Sequence, residues 1–117
     1  MSLVMVYGDI QYTKSYNTCM DNSGGVTMNM LECTNQEIKH HDTLLNAHYK
    51  QAMKSLEQGK KEELKNVQRM WIKYRDAKCG FYVGLSGGTM DRIIASGCYL
   101  DMTAQRAAEL KDIYETM

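Results

Sequence analysis

The sequence lacks proline, net charge and long apolar runs. None of its 117 residues is proline, so no helix has to be broken by a ring that cannot donate a backbone hydrogen bond. The 14 basic and 14 acidic side chains balance, which leaves no overall field to attract nucleic acid or an anionic membrane. No apolar run reaches the roughly 18 residues that a membrane-spanning helix requires. A chain of this length and composition is expected to fold as one globular domain.

The four cysteines, at positions 19, 33, 79 and 98, include no closely spaced pair. Structural zinc sites usually place two ligands two to four residues apart, and redox dithiols use a Cys-x-x-Cys motif, so the spacing favours neither. Buried free thiols or two disulfides remain, the latter with three connectivities. Pairing neighbours closes two short loops, each contributing about 3 kcal/mol in the loop-entropy model. We favour this pairing, Cys19 with Cys33 and Cys79 with Cys98, and an oxidising compartment.

Apolar residues recur at helical spacing from position 31 to position 56. Their separations of three, four and seven put them on one stripe, which predicts a long first helix. Thr27 could cap its start, or Thr34 could form a capping box with Glu37. Gly59 is well placed to end this helix in the left-handed conformation.

The same periodicity predicts two further helices. The second is expected at about residues 60–78, after a turn so short that it must pack antiparallel to the first. Four glycines break the pattern over residues 80–89 and indicate a loop. Helical spacing returns over residues 94–114, although Gly97 could bend or interrupt this third helix.

These elements predict an all-α fold, a three-helix antiparallel bundle with an irregular N-terminal arm, stapled by disulfides. The arm covers residues 1–17, partly a vector remnant or the sequence that follows a removed signal peptide. Residues 18–117 form the single helical domain. One disulfide would tie the arm to the first helix, and the other would close the glycine-rich loop.

The segment from Gly84 to Gly88 matches G-x-S-x-G, which in serine hydrolases presents the serine on a strand-to-helix turn. That motif needs a histidine downstream, whereas His40, His41 and His48 all lie upstream of Ser86. We therefore interpret the segment as a loop and expect the histidines to be surface residues rather than metal ligands. The sequence predicts no enzyme, no metal and no cofactor.

The segment 68–79 is the densest in charged and aromatic side chains. Arg75 lies one helical turn from Trp71, so its stem can pack on the indole while its guanidinium reaches a carboxylate on the first helix. We predict a partly buried polar cluster that fixes helix register, since a buried charge persists only when it is paired. Its members are Asp42, Asn46, Arg69, Trp71, Arg75 and Asp76.

Several of these residues belong to an ordered set of motifs. The set runs Cys33, Asp42-x-x-Leu45-Asn46-x-x-Tyr49, Leu64-x-x-x-Gln68-Arg69-x-Trp71-Ile72-x-Tyr74-Arg75-Asp76-Ala77-x-Cys79, Gly87-Gly88, Cys98 and Thr103-x-x-Arg106-x-x-x-Leu110. Over residues 18–110 it resembles the LprI-like family of small secreted or periplasmic bacterial proteins. The resemblance implies a helical fold, disulfides and export, and the activity for which the family is named is inhibition of lysozyme.

Two functions follow as expectations. In the first, the loop over residues 84–90 enters the carboxylate-lined cleft of a lysozyme, with Gly84 allowing close approach and Ser86 and the amides of Gly87 and Gly88 as donors. Against it, the glycines could serve only a turn that requires positive φ. In the second, the chain is a periplasmic interaction or structural module whose partner is another envelope protein. A large exposed apolar patch on a helix face would favour the second function.

Overall fold

The computed structural model describes residues 10–116, and every regular element in that range is a helix. Four helices follow one another: α1 (Lys14–Asp21), α2 (Thr27–Ser55), α3 (Gln58–Phe81) and α4 (Met90–Glu115). The predicted all-α class is confirmed. The predicted count of three helices is wrong, because part of the arm that was expected to be irregular forms α1. Residues 1–9 of that arm lie outside the described residues.

Helix α1 is short and begins at a capping threonine. The Thr13 hydroxyl accepts a hydrogen bond from the Tyr16 backbone N–H at 3.0 Å, which satisfies a donor that the first turn leaves unpaired. No residue of α1 is fully buried, and its eight residues make only about two turns, too few for periodicity to reveal it. Helix α1 crosses the boundary between positions 17 and 18 at which the N-terminal arm was predicted to end. Gly24 and Gly25 follow it with φ of 65° and 73°.

Helix α2 starts at Thr27, but that side chain does not cap it. Val26 occupies the cap position and makes no side-chain hydrogen bond there. The alternative start at Thr34 is also wrong, because Thr34 lies inside the helix and donates its hydroxyl to the Met30 carbonyl at 2.9 Å.

The turn between α2 and α3 is made by two extended residues. Leu56 and Glu57 have ψ of 151° and 165°, so the chain reverses without a residue of positive φ. Gly59, expected to end the first long helix, instead lies in the first turn of α3. The prediction of a short connection is confirmed, and the role given to Gly59 is wrong.

The most extensive helix interface joins α2 to α4. Helix α3 packs against α4, whereas its sequence neighbour α2 shares little backbone contact with it. Small side chains at Ala52, Ala104 and Ala107 are buried and let helix backbones approach closely. The core cluster combines side chains from α2, α3 and α4: Leu45, Ala52, Leu64, Ala107 and Leu110.

Two disulfides connect the helices at separate places. Cys19 of α1 is bonded to Cys33 of α2, with Cα atoms 5.8 Å apart, and Cys79 of α3 is bonded to Cys98 of α4, with Cα atoms 5.5 Å apart. The predicted pairing is confirmed. Helix α4 continues through Gly97 without interruption. Among the helices that the structure describes, none combines the length and the apolar character needed to cross a membrane.

Candidate functional site

The α3–α4 loop, residues 82–89, is held close to both of its ends. The Cys79–Cys98 disulfide fixes the end of α3 to α4. Within the loop, Gly84 and Gly87 have φ of 76° and 84°, a conformation that residues with a Cβ atom rarely adopt. These two glycines are therefore required by the turn, which agrees with the alternative that the sequence left open.

Asp91, in the first turn of α4, holds the loop from inside. Its buried carboxylate accepts the backbone N–H groups of Ser86 and Gly87, both at 2.8 Å, and the Ser86 hydroxyl at 2.6 Å. The Ser86 hydroxyl contributes most to keeping the Asp91 pKa below its usual value; burial opposes this, and the two amides reinforce it. The Gly88 N–H donates to the Ser86 hydroxyl oxygen at 3.2 Å.

These bonds correct the proposed binding mode. Ser86, Gly87 and Gly88 were expected to donate to a partner's carboxylate, but Ser86 and Gly87 already donate to Asp91, and Gly88 donates to Ser86. Their role in the structure is to shape the loop. An acidic residue in the first turn after a glycine-rich loop was the sequence signal that could have revealed Asp91, because backbone amides at a helix start attract a carboxylate.

Several apolar side chains in and beside the loop are exposed to solvent. Four side chains, of which two lie in the loop and two end the flanking helices, are 58–65% exposed. We call them the apolar loop surface: Phe81, Val83, Leu85 and Met90. Exposed apolar side chains grouped on a rigid element are typical of protein-binding surfaces.

The G-x-S-x-G segment has no hydrolase geometry. His41 Nε2 lies 3.0 Å from a carboxylate oxygen of Glu37, and His48 Nδ1 lies 2.6 Å from the Tyr114 hydroxyl. Neither ring is hydrogen-bonded to Ser86, whose hydroxyl donates to Asp91 instead. Across residues 10–116, no group of three or more His, Cys, Asp or Glu side chains is placed to hold a metal ion.

A buried polar cluster anchors the start of α1 on α2. Glu37 accepts the Thr13 backbone N–H at 2.7 Å and the Thr13 hydroxyl at 2.6 Å. Burial alone would raise the pKa of Glu37, but the bonds from Thr13 and His41 outweigh it and lower the pKa. Of the histidines expected at the surface, only His40 is exposed; His41 is buried and His48 half-buried.

Most of the polar cluster predicted from the sequence lines one cavity of about 310 Å³ between α2 and α3. We call this cavity the α2–α3 groove. Asp42 and Asn46 of α2 line it together with Arg69, Trp71 and Arg75 of α3. Arg75 is buried, whereas Asn46 and Arg69 are exposed. The predicted burial therefore applies to Arg75 and not to Asn46 or Arg69. Many residues that carry the family resemblance also line this groove.

Arg75 is held by two rings and one carboxylate. Its guanidinium carbon lies 4.9 Å from the centre of the Trp71 ring and 4.0 Å from that of the Tyr99 ring. Its Nε donates to Asp76 Oδ1 at 3.0 Å. The stacking on Trp71 agrees with the sequence prediction. The prediction that Arg75 bonds a carboxylate on the first long helix is wrong, because the acid that it bonds is Asp76, the next residue of α3.

The sequence did not predict a second buried arginine. Arg106 of α4 donates from Nε to Gln68 Oε1 and from Nη1 to Glu109 Oε1, both at 2.9 Å. The bond to Gln68 fixes α3 against α4 beside Trp71, whose ring centre lies 6.0 Å from the guanidinium carbon of Arg106, whereas the bond to Glu109 lies within α4. Gln68 and Arg106 occupy the buried stripes of their helices, and a charged residue inside an apolar stripe was the available signal.

Comparison with known proteins gives the chain's relatives. A family model described as "Lysozyme inhibitor LprI" matches residues 19–110. An uncharacterized protein of Rhizobium meliloti (strain 1021) is 32% identical over 105 aligned positions, covering 76% of this chain and 74% of that protein. No solved structure matches the chain.

Proposed function

The chain belongs to the LprI family, and on this premise we propose that it binds and inhibits a lysozyme in the periplasm or outside the cell. The family is one of inhibitors rather than enzymes. The two disulfides are consistent with an oxidising compartment.

The observation that carries this proposal is the apolar loop surface on a fixed loop. Inhibition requires an element that enters or covers a cleft without losing much conformational freedom. The Asp91 carboxylate and the Cys79–Cys98 disulfide order the α3–α4 loop before any partner arrives, which lowers the entropy cost of binding. We therefore assign the partner contacts to Phe81, Val83, Leu85 and Met90, and not to the hydrogen-bond donors inside the loop.

An inhibition assay with a loop variant tests this assignment. The oxidised protein is titrated into lysozymes of several types while hydrolysis of bacterial cell walls is followed. In V83S/L85S we expect the inhibition constant to rise about tenfold or more, because exposed apolar residues at an interface centre carry much of the binding energy. Since the contact is apolar, inhibition should change little between low and physiological salt.

The matched control is V67S/M70S. Val67 and Met70 are 43% and 62% exposed and lie about three turns or more before Phe81 on α3, so two serine replacements of exposed apolar residues are made away from the loop. This control should inhibit like the native chain. Equal inhibition by V83S/L85S and the native chain would contradict the loop assignment. Absence of inhibition of every lysozyme at about 50 µM would contradict the function itself.

A second candidate function rests on an exposed stripe of α3. Val67, Met70 and Tyr74 are 43%, 62% and 59% exposed and follow one another at spacings of three and four. Such a stripe is suited to packing against an α-helix of another envelope protein. Under this alternative, V67S/M70S would abolish capture of that helix, and V83S/L85S would have no effect on it.

A further inference from the structure

The α2–α3 groove combines positive charge with an incompletely bonded buried arginine. Its lining carries three basic side chains, Lys65, Arg69 and Arg75, and one acid, Asp42; Asp76 lies outside the lining but is paired with Arg75. Lys65 makes one long surface contact, 4.0 Å from Glu62. Arg69 is exposed at the rim.

Arg75 supplies the observation that points to a ligand. Its side chain is only 9% exposed, with Trp71 and Tyr99 against the guanidinium. A guanidinium has five N–H donors in its plane, and stacking leaves them free to bond. The Nε donor is used by Asp76, whereas Nη1 and Nη2 have no partner among residues 10–116. Both nitrogens keep some contact with solvent, so an acceptor that enters the groove can reach them.

We propose that the α2–α3 groove binds a small molecule through an anionic group, a carboxylate or a phosphate, held by the Nη1 and Nη2 donors of Arg75. Planar arginine pairs with two oxygens of such a group at once, which a lysine cannot do. Lys65 and Arg69 add positive charge at the entrance, and the Asn46 and Gln68 amides offer further polar contacts. A cavity of about 310 Å³ suits a ligand the size of a monosaccharide.

The site is distinct from the apolar loop surface. None of the four residues of that surface lines the groove. Binding in the groove can therefore be measured without a lysozyme, and its failure would leave the inhibitor proposal unaffected.

Titration with matched probes tests the proposal. Inorganic phosphate and N-acetylmuramic acid supply the two anionic groups, and N-acetylglucosamine is the neutral control that lacks the carboxylate. Ionic strength is kept constant, and the NMR signals of the Trp71 indole N–H and the Arg75 guanidinium are followed. We expect saturable shifts with at least one anion and none with the neutral sugar. Whichever anion binds identifies the ligand class. No saturable shift with either anion up to about 50 mM, or equal binding of the neutral sugar, would overturn the proposal.

Two variants locate the binding. K65Q/R69Q removes two rim charges and should raise the dissociation constant about fivefold. Its control, K73Q/R92Q, removes one lysine and one arginine that are exposed elsewhere and should bind like the native chain. R75K keeps the charge but loses the two-pronged donor, so it should bind more weakly than K65Q/R69Q does. Equal affinities of K65Q/R69Q and its control would contradict the assignment, even if R75K proved too unstable to measure.

Discussion

At the scale of single residues, Asp91 determines the shape of the α3–α4 loop. Its carboxylate is the common acceptor for the Ser86 and Gly87 amides, and its lowered pKa reflects these bonds. The native fold therefore stabilises the ionised form. This contribution is present above the usual aspartate pKa of about 4 and is lost as the pH falls through the lower folded value.

Replacing Asp91 by alanine should loosen the loop without unfolding the helices. In D91A we expect amide hydrogen exchange at Ser86 and Gly87 to be about tenfold faster or more, because both N–H groups lose a charged acceptor. The control D21A removes an exposed acid at the end of α1 and should leave these rates unchanged. Equal rates in D91A and D21A would show that the carboxylate does not hold the loop.

His48 should give the protein a pH dependence near neutrality. Burial, followed by the charge of Lys111, lowers the His48 pKa, and the neutral ring can accept the Tyr114 hydroxyl at 2.6 Å. The unfolded chain then takes up its proton at a higher pH than the folded chain. Stability should therefore fall as the pH drops below about 6.5, until the folded value is passed.

Denaturant unfolding at pH 7.5 and pH 5 measures this effect. The native chain should lose stability between the two values, and H48Q should lose less, since glutamine does not titrate. Because Glu37 and Asp91 titrate at lower pH, their contributions fall outside this interval. The same loss in both proteins would rule out His48 as the cause.

Side-chain contacts between residues one turn apart on a helix could be predicted from the sequence, whereas contacts between helices could not. The stacking of Arg75 on Trp71 could be predicted because the two lie one turn apart on a single helix. The pairing of Gln68 with Arg106 joins α3 to α4, and periodicity does not say which buried positions of two helices meet. The burial of His41 was not predicted. His41 lies one turn from Glu37 on α2, and the sequence does not show that Thr13 bonds the same Glu37 carboxylate.

At the scale of elements, the Cys79–Cys98 disulfide links the stability of α4 to the order of the loop. In the loop-entropy model, C79A/C98A should lower the free energy of unfolding by about 3 kcal/mol. It should also speed amide exchange throughout residues 82–89. Unfolding and exchange are measured on the same samples.

The second disulfide provides the control. C19A/C33A should cost a similar amount of stability, because its sequence separation of 14 is close to the 19 of the first. It should leave exchange in the α3–α4 loop unchanged, since it joins α1 to α2. Equal acceleration of loop exchange in both variants would contradict a local role for Cys79–Cys98.

Long helices with a buried stripe were the elements that the sequence revealed best. Helices α2, α3 and α4 were predicted because their apolar spacing continues over several turns. Helix α1 was missed because its eight residues make too few turns to establish a pattern, and its position depends on Thr13 and a disulfide. The end of α2 was misplaced at Gly59 because a turn through two extended residues needs no glycine.

At the scale of the whole molecule, the packing of the helices creates the α2–α3 groove. A two-residue connection would usually make α2 and α3 a closely packed hairpin. Instead both pack on α4, and the gap between them becomes the α2–α3 groove. The sequence does not specify this arrangement, because α3 has one buried stripe that could face either neighbour.

We propose that the chain is a lysozyme inhibitor that acts through its apolar loop surface. The most direct test of this proposal is the rate of cell-wall hydrolysis by several lysozymes at increasing concentrations of the oxidised protein. We expect inhibition that V83S/L85S weakens about tenfold or more and V67S/M70S leaves intact. Hydrolysis at full rate with every lysozyme at about 50 µM protein would contradict the proposal.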